Sequence, residues 1–264
     1  SKSGGGVVTC KAHGRLLLTD GQDRLYRAMT GIDEGQWENS YGMDWHSAGL
    51  NHLTPVVESF RVLPTPQCVL VEERLSYCQG RVRITREYKI TGAGMEITSK
   101  VANGLELETL PCIGQRFQME KQYNQLRWYG RGHQECYADR KSSALAGIYT
   151  GTVEDMHEHY VKPCECGGRE DVRWLEITDQ DGYGVKVTGK DLFHFSALPW
   201  TVEEYDQAAY EDDLPQSHGT SLCLDGFHAG LGGDTGWTKN IHPEYRIPQG
   251  NYLYGFTLLW LEPR

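Results

Sequence analysis

The sequence predicts an all-β chain: two large antiparallel sheets packed face to face as one β-sandwich domain over residues 1–264. Three observations predict it. Apolar and polar residues alternate at a period of two through much of the chain, the pattern of strands with one buried face. Runs of Gly, Asp and Asn interrupt the alternation where antiparallel hairpins have to turn. Helical periodicity is confined to one short segment, which leaves a layered β architecture.

In chain order, strands are expected at 14–19, 56–63 and 67–77, with a loop-like region rich in Gly, Asp, Asn and His at 30–55. Residues 82–90 place Val82, Ile84, Tyr88 and Ile90 on one face and Arg83, Thr85, Glu87 and Lys89 on the other. Thr91-Gly92-Ala93-Gly94 then turns the chain, and Met95, Ile97 and Val101 alternate with Glu96, Thr98 and Lys100 to complete a hairpin. Further strands are expected at 113–119 and 125–129. A second hairpin joins Leu175 and Ile177 to Tyr183, Val185 and Val187 through Asp179-Gln180-Asp181-Gly182, and a strand follows at 191–197. Thr201 is the N-cap of the one helix candidate, 201–210, with Glu203 and Glu204 complementing its dipole. Segments 220–225 and 243–247 read as strands. In the last strand Tyr252, Tyr254, Phe256, Leu258 and Trp260 share a face opposite Leu253 and Leu259, as if covered on both sides.

Composition excludes several classes. A formal charge of −10 with dispersed acids argues against nucleic acid as a partner. No window approaches the roughly 18 consecutive apolar residues of a bilayer-crossing helix, so no membrane partner is expected. The start, SKSGGG, lacks the apolar core of a signal peptide and is expected to be a cloning scar or a cut end. Eight scattered cysteines suggest free thiols in a reducing compartment, which favours the cytoplasm. Cys164-x-Cys166 lies close to His157 and His159. Structural zinc sites usually space their cysteines by two to four residues, so no metal and no cofactor are expected in this chain.

No G-x-S-x-G elbow, phosphate-binding loop or H-E-x-x-H is present, and no catalytic residue is assigned. Aromatic residues are more informative. Trp37, Tyr41, Trp45, Trp128, Tyr129 and Trp237 sit beside glycines or acids, where a rigid turn can present a flat ring to the C–H face of a sugar. Residues 226–237 read GFHAGLGGDTGW: glycines enough to bend a sheet-edge loop, Asp234 to anchor it through local backbone bonds, and Trp237 to be displayed.

Four ordered blocks add to this. They are Leu110-Pro111-x-Ile113-Gly114; Trp128-Tyr129-Gly130-Arg131-Gly132-His133-Gln134-Glu135-x-Tyr137-x-Asp139-Arg140; Tyr160-Val161-x-Pro163-x-Glu165-x-Gly167-x-Arg169; and Asp225-Gly226-Phe227-His228-x-Gly230-x-Gly232-Gly233-Asp234-x-x-Trp237. Together, over more than half the chain, they resemble the C-terminal domain of the large β-galactosidases, which some bacteria make as a separate small subunit. Arg27-Ala28-x-x-x-x-Asp33-x-Gly35 is similar to the family's Arg-Ala-Pro-x-Asp-Asn-Asp-x-Gly segment. Met29 replaces its proline, and Gly31 and Ile32 replace Asp and Asn.

The resemblance implies a supersandwich of the galactose-mutarotase-like kind, packed beside a catalytic barrel that carries both catalytic glutamates and is not in this chain. It implies a β-galactoside such as lactose as the sugar, and a homo-oligomer at full length. Trp237 matches a tryptophan that stacks on sugar in the outer subsite. Gly35 matches the glycine of a loop that closes over bound substrate, with Asp33 beside it on the substrate side. Cys166 stands where the family has Asn in Pro-x-Glu-Asn-Gly, which weakens the zinc reading. Glu165, Arg169, Glu135, Asp139 and Arg140 are expected to form buried or interfacial polar networks.

Two other readings stay open at this stage. A free-standing sugar epimerase of the mutarotase type would use His228 or His157 with Glu165. A carbohydrate-binding module would bind galactose by itself.

Overall fold

The computed structural model describes every residue except 1, 3, 36–38, 235–238 and 264. The strands are β1 Val7–Ala12, β2 Arg15–Arg24, β3 Val56–Pro64, β4 Val69–Tyr77, β5 Val82–Ile90, β6 Gly94–Asn103, β7 Cys112–Glu120, β8 Gln125–Gly132, β9 Leu145–Thr152, β10 Arg169–Thr178, β11 Gly184–Leu198, β12 Gly219–His228 and β13 Gly250–Leu261. Short helices are α1 Gly31–Glu34, α2 Tyr41–Ser47 and α3 Val202–Gln207. None is long and apolar enough to cross a membrane among the described residues.

The expected sheets are joined. Thirteen strands form one ladder in the order β1-β2-β7-β12-β11-β13-β6-β5-β4-β3, with β10, β8 and β9 branching from β11. The joint is β11, fifteen residues long. Its first half, Gly184 to Gly189, pairs with β13, and its second half, His194 to Leu198, pairs with β12. The ladder then folds back on itself. Tyr77 of β4 donates to Asp23 of β2 at 2.6 Å, and the Tyr254 hydroxyl of β13 reaches the Gly114 carbonyl of β7 at 3.2 Å. Strands distant in the ladder therefore face each other as a sandwich.

Both expected hairpins are present in register. Ile90 pairs with Met95 across a turn closed by Thr91 N–H to Gly94 O at 2.9 Å, and Thr178 pairs with Gly184 beyond the Asp179 turn. Between the layers lies a continuous core that includes Phe117, Trp128, Ile177, Val187, Phe195 and Phe256. Burying a large apolar side chain of this kind contributes about 1.5–3 kcal/mol. A charged network sits inside it. Arg86, at an inward position of β5, donates to Glu73 and Ser99 at 2.9 Å each and to Asp23, with no part of its side chain exposed. This network ties β4 and β5 to β2 across the sandwich.

Several expectations are corrected. The 30–55 region is not an open loop: Thr30 caps α1 and Ser40 caps α2, helices too short to show a period in sequence. Residues 243–247 are not a strand, because Pro243 lacks the N–H a ladder requires and instead opens a 3₁₀ turn, Pro243–Tyr245. Strands β1 and β9 were not anticipated. Each lies at a sheet edge, where burial is partial and the alternation is weak. The last strand is covered on one face only, since Leu253 and Leu259 are 56% and 42% exposed. The helix over 201–210 is shorter than expected, ending at Gln207, but its cap holds: Glu204 N–H donates to the Thr201 hydroxyl at 3.2 Å.

Candidate functional site

Arg27 follows β2 and is fully buried. Its Nε and Nη2 donate to the two Asp33 oxygens at 3.1 and 2.8 Å, the planar fork that a guanidinium offers a carboxylate. The remaining donors reach the carbonyls of Ala229 and Gly230 at 3.1 and 3.0 Å. One side chain thus holds α1 and the glycine stretch together. Asp33 also accepts from the Thr30 N–H and hydroxyl at 3.0 Å each, closing the capping box of α1. Fully buried and fully engaged, Asp33 supports the loop and offers solvent no oxygen. Gly35 ends α1 at φ +60° and ψ 176°, a conformation essentially restricted to glycine.

Beyond β12 the glycine stretch is anchored by Asp139, from a distant part of the chain. Its oxygens accept from the N–H groups of Leu231 and Gly232 at 3.1 and 2.7 Å. At Gly230 a Cβ would stand 2.4 Å from Asp139 Oδ2, so only glycine admits that approach. Asp234, expected to bind backbone locally, pairs with His242 at 2.7 Å, bridging the base of the segment; the N–H groups that follow it lie outside the described residues. Lys239 reaches Asp44 of α2 at 2.5 Å, and Ile241 N–H donates to the Tyr41 hydroxyl at 3.1 Å. Ile32 of α1 lies against Gly232 and Gly233. Trp237 and Trp37 lie outside the described residues, yet the segments flanking both come to one end of the sandwich. Tyr41, Trp45 and Trp128, candidates for display, are core residues: each is at most 1% exposed.

A second polar centre lies under β11 and β12. Arg24 donates to Glu165 Oε2 at 2.7 Å and to Asp225 Oδ2. Burial pushes the Glu165 carboxyl up, but Arg24 and then His228 outweigh it and hold it at about 2. Asp225 is raised to about 6, burial outweighing Arg24 and His194. His228 Nε2 lies 3.6 Å from Glu165 Oε1, so the pair named by the epimerase reading does meet. Their side chains are 0% and 4% exposed, which leaves a sugar no approach to them. His157, the other candidate, turns away to Glu211 at 3.2 Å, and His159 joins it there. The Cys164 thiol is pushed up to about 12 by burial, foremost, and Cys166 also rises for the same reason. All eight cysteines are free.

Comparison with known proteins matches residues 1–258 to the family described as Beta galactosidase small chain. The chain belongs to the β-galactosidase small-chain family. It is 33% identical to a β-galactosidase of Vibrio cholerae over 247 residues, covering 90% of this chain and 23% of that protein. With the β-galactosidase of Aeromonas hydrophila identity is 32% over 271 residues, covering 97% of this chain and 26% of the relative. The chain spans about a quarter of the length of these curated relatives, so it corresponds to the small-chain region of a larger enzyme. Among solved structures, galactose 1-epimerase from Lactobacillus acidophilus is similar at 6% identity and TM-score 0.47, covering 100% of this chain and 79% of that one.

The small-chain blocks quoted from the sequence are the ones that meet in space. Glu135 binds Gly167 N–H at 2.9 Å and the Tyr160 hydroxyl at 2.7 Å, and Arg169 donates to the Gly167 and Gly168 carbonyls at 3.0 and 3.1 Å. Sequence reasoning missed His194 and Glu170, 2.9 Å apart and buried. The available signal was a histidine between Phe193 and Phe195 on a strand enclosed on both sides.

Proposed function

We propose that this chain is the non-catalytic small-chain domain of a β-galactosidase that hydrolyses terminal β-D-galactosides such as lactose. It packs on a catalytic barrel that supplies the acid and nucleophile. Trp237 lends a stacking ring to the outer subsite, and the loop at Gly35, braced by Asp33, closes the substrate side. The assembled enzyme is a homo-oligomer. The observation that carries this reading is the grip of Arg27 on both segments at once, Asp33 on one side and the Ala229 and Gly230 carbonyls on the other. Two loops that must act on one ligand need a shared rigid base. Exposed Leu192 and Leu253, beside Phe227, give the outer face of β11 and β13 an apolar surface of the kind a second domain covers.

The test uses the assembled enzyme. Trp237→Ala should raise KM for lactose by a factor corresponding to about 1–3 kcal/mol while leaving the thermal midpoint in place. An unchanged KM would remove the stacking role. The separate chain should release no chromophore from an aryl β-galactoside; turnover without a partner would place catalysis in this domain and overturn the assignment.

A further inference from the structure

The buried centre under β11 and β12 contains more unpaired atoms than a static polar network tolerates. Glu165 Oε1, His194 Nε2, His228 Nε2 and Asp225 Oδ1 are all buried and have no hydrogen-bond partner among the described residues. Such groups are normally satisfied, so a cluster of four in one place calls for an occupant.

Their orientation is set from outside the cluster. His194 Nδ1 lies 2.9 Å from Glu170 Oε1, and His228 Nδ1 lies 2.9 Å from the Ala229 carbonyl. Both oxygens can only accept, so each Nδ1 carries the proton. In the neutral ring each Nε2 then holds a lone pair directed inward, the tautomer of a metal-binding imidazole steadied by an outer partner. Arg24 engages Oε2 of Glu165, leaving Oε1 to face His228.

The backbone builds this arrangement. His194 and Asp225 are cross-strand partners on β11 and β12, so their side chains share a face. Residues 225 and 228 should point to opposite faces, but the register shift between Asp225 and Phe227 inserts a bulge that turns His228 back beside them. The two imidazoles stack with centroids 4.1 Å apart and 19° between planes, and Tyr137 packs against both at 5.6 and 5.5 Å. At Gly168 a Cβ would stand 2.5 Å from the His194 ring, and at Gly114 one would stand 2.2 Å from Asp225 Oδ1. Both glycines are the space these side chains occupy.

We propose that Glu165 Oε1, His194 Nε2 and His228 Nε2 form a buried site for a divalent transition-metal ion of the zinc class. The three donors lie within 4.8 Å of one another, with the His228 and Glu165 atoms 3.6 Å apart. Donors at about 2.0–2.1 Å from a tetrahedral zinc stand about 3.3 Å apart, so the stacked imidazoles must rotate out of parallel to aim both Nε2 lone pairs at one ion. Two imidazole donors suit zinc and cobalt and are poor for calcium or magnesium, which prefer an all-oxygen set. A closed site of this kind stabilises the junction of β10, β11 and β12 with the 157–168 segment and takes no part in sugar chemistry.

The test is metal retention by the full 264-residue chain, refolded with and without one equivalent of Zn²⁺ and dialysed against chelator-treated buffer. One zinc per chain should remain, with a higher thermal midpoint, and Co²⁺ in its place should show the visible absorption of a four-coordinate site. His194→Gln and His228→Gln should each abolish retention. Glu170→Gln, which keeps every ligand, should weaken it about 10–100-fold through the lost charge of the outer partner and covers the case in which the ligand variants fail to fold. His159→Gln should leave the stoichiometry at one. Absence of retained metal in the parent chain overturns the proposal, as does metal that survives Glu170→Gln and His194→Gln at full affinity or leaves with His159→Gln.

Discussion

Arg27 and Asp33 are joined by two N–H···O bonds of 3.1 and 2.8 Å, and neither side chain is exposed to solvent. The pair is buried, so removing one member strands a charge. Asp33→Ala should lower the unfolding free energy by about 3–5 kcal/mol, read from urea denaturation. Arg27→Lys should also destabilise, because a single ammonium cannot hold Asp33 and two carbonyls in one plane. An Asp33→Ala midpoint equal to the parent's would show the fork to be dispensable.

The Arg86 network predicts a contrast between breaking and replacing. Arg86→Ala leaves Asp23 and Glu73 facing each other without a cation and should cost about 3–5 kcal/mol. Arg86→Met combined with Glu73→Leu, Asp23→Leu, Tyr77→Phe and Tyr88→Phe should recover much of that loss, since the two hydroxyls that bond the carboxylates leave with them and a packed apolar group needs no partner. Denaturation midpoints of the single and combined variants measure the difference.

Gly35 tests the loop by backbone strain alone. At φ +60° and ψ 176°, Gly35→Ala should cost about 1–3 kcal/mol or displace the loop. In the assembled enzyme the expected signature is a fall in kcat/KM; equal thermal midpoints and equal kcat/KM for variant and parent would contradict it.

His157 predicts a pH dependence. Burial foremost, with the neighbouring His159, lowers its pKa from 6.5, and the hydrogen bond to Glu211 offsets this only in part. Tyr205, Trp200 and Cys166 pack against the ring, and Glu158 adds a weak opposing charge. The folded state therefore binds the proton less readily than the unfolded chain. Its contribution to stability is complete above pH 6.5 and is lost as pH falls below that value. Thermal midpoints from pH 8 to 5 should decline more steeply in the parent chain than in His157→Gln.

Both hairpins could be read from sequence because their alternation is local: Val82 to Ile90 and Met95 to Val101 report their own faces. Arg86 shows where such reading stops. Its position in the alternation places it inward, and an inward arginine must have buried partners, but nothing nearby in sequence names Asp23. Asp139 is similar. It stands within a quoted block, yet its role as anchor of Leu231 and Gly232 depends on an approach between segments some ninety residues apart. The helices capped by Thr30 and Ser40 were hidden because they complete at most two turns.

By itself the sequence determined the β class, the register of its hairpins and the motif blocks that mark the small-chain family. Each depends on side-chain period, turn chemistry or ordered residues along the chain. Only the tertiary structure decided that the two sheets are one ladder bent through β11, that Arg27 grips two loops at once, and that a bulge turns His228 toward His194 and Glu165. These are relations between distant residues, and they exist only after the ladder closes and water leaves the space between its layers.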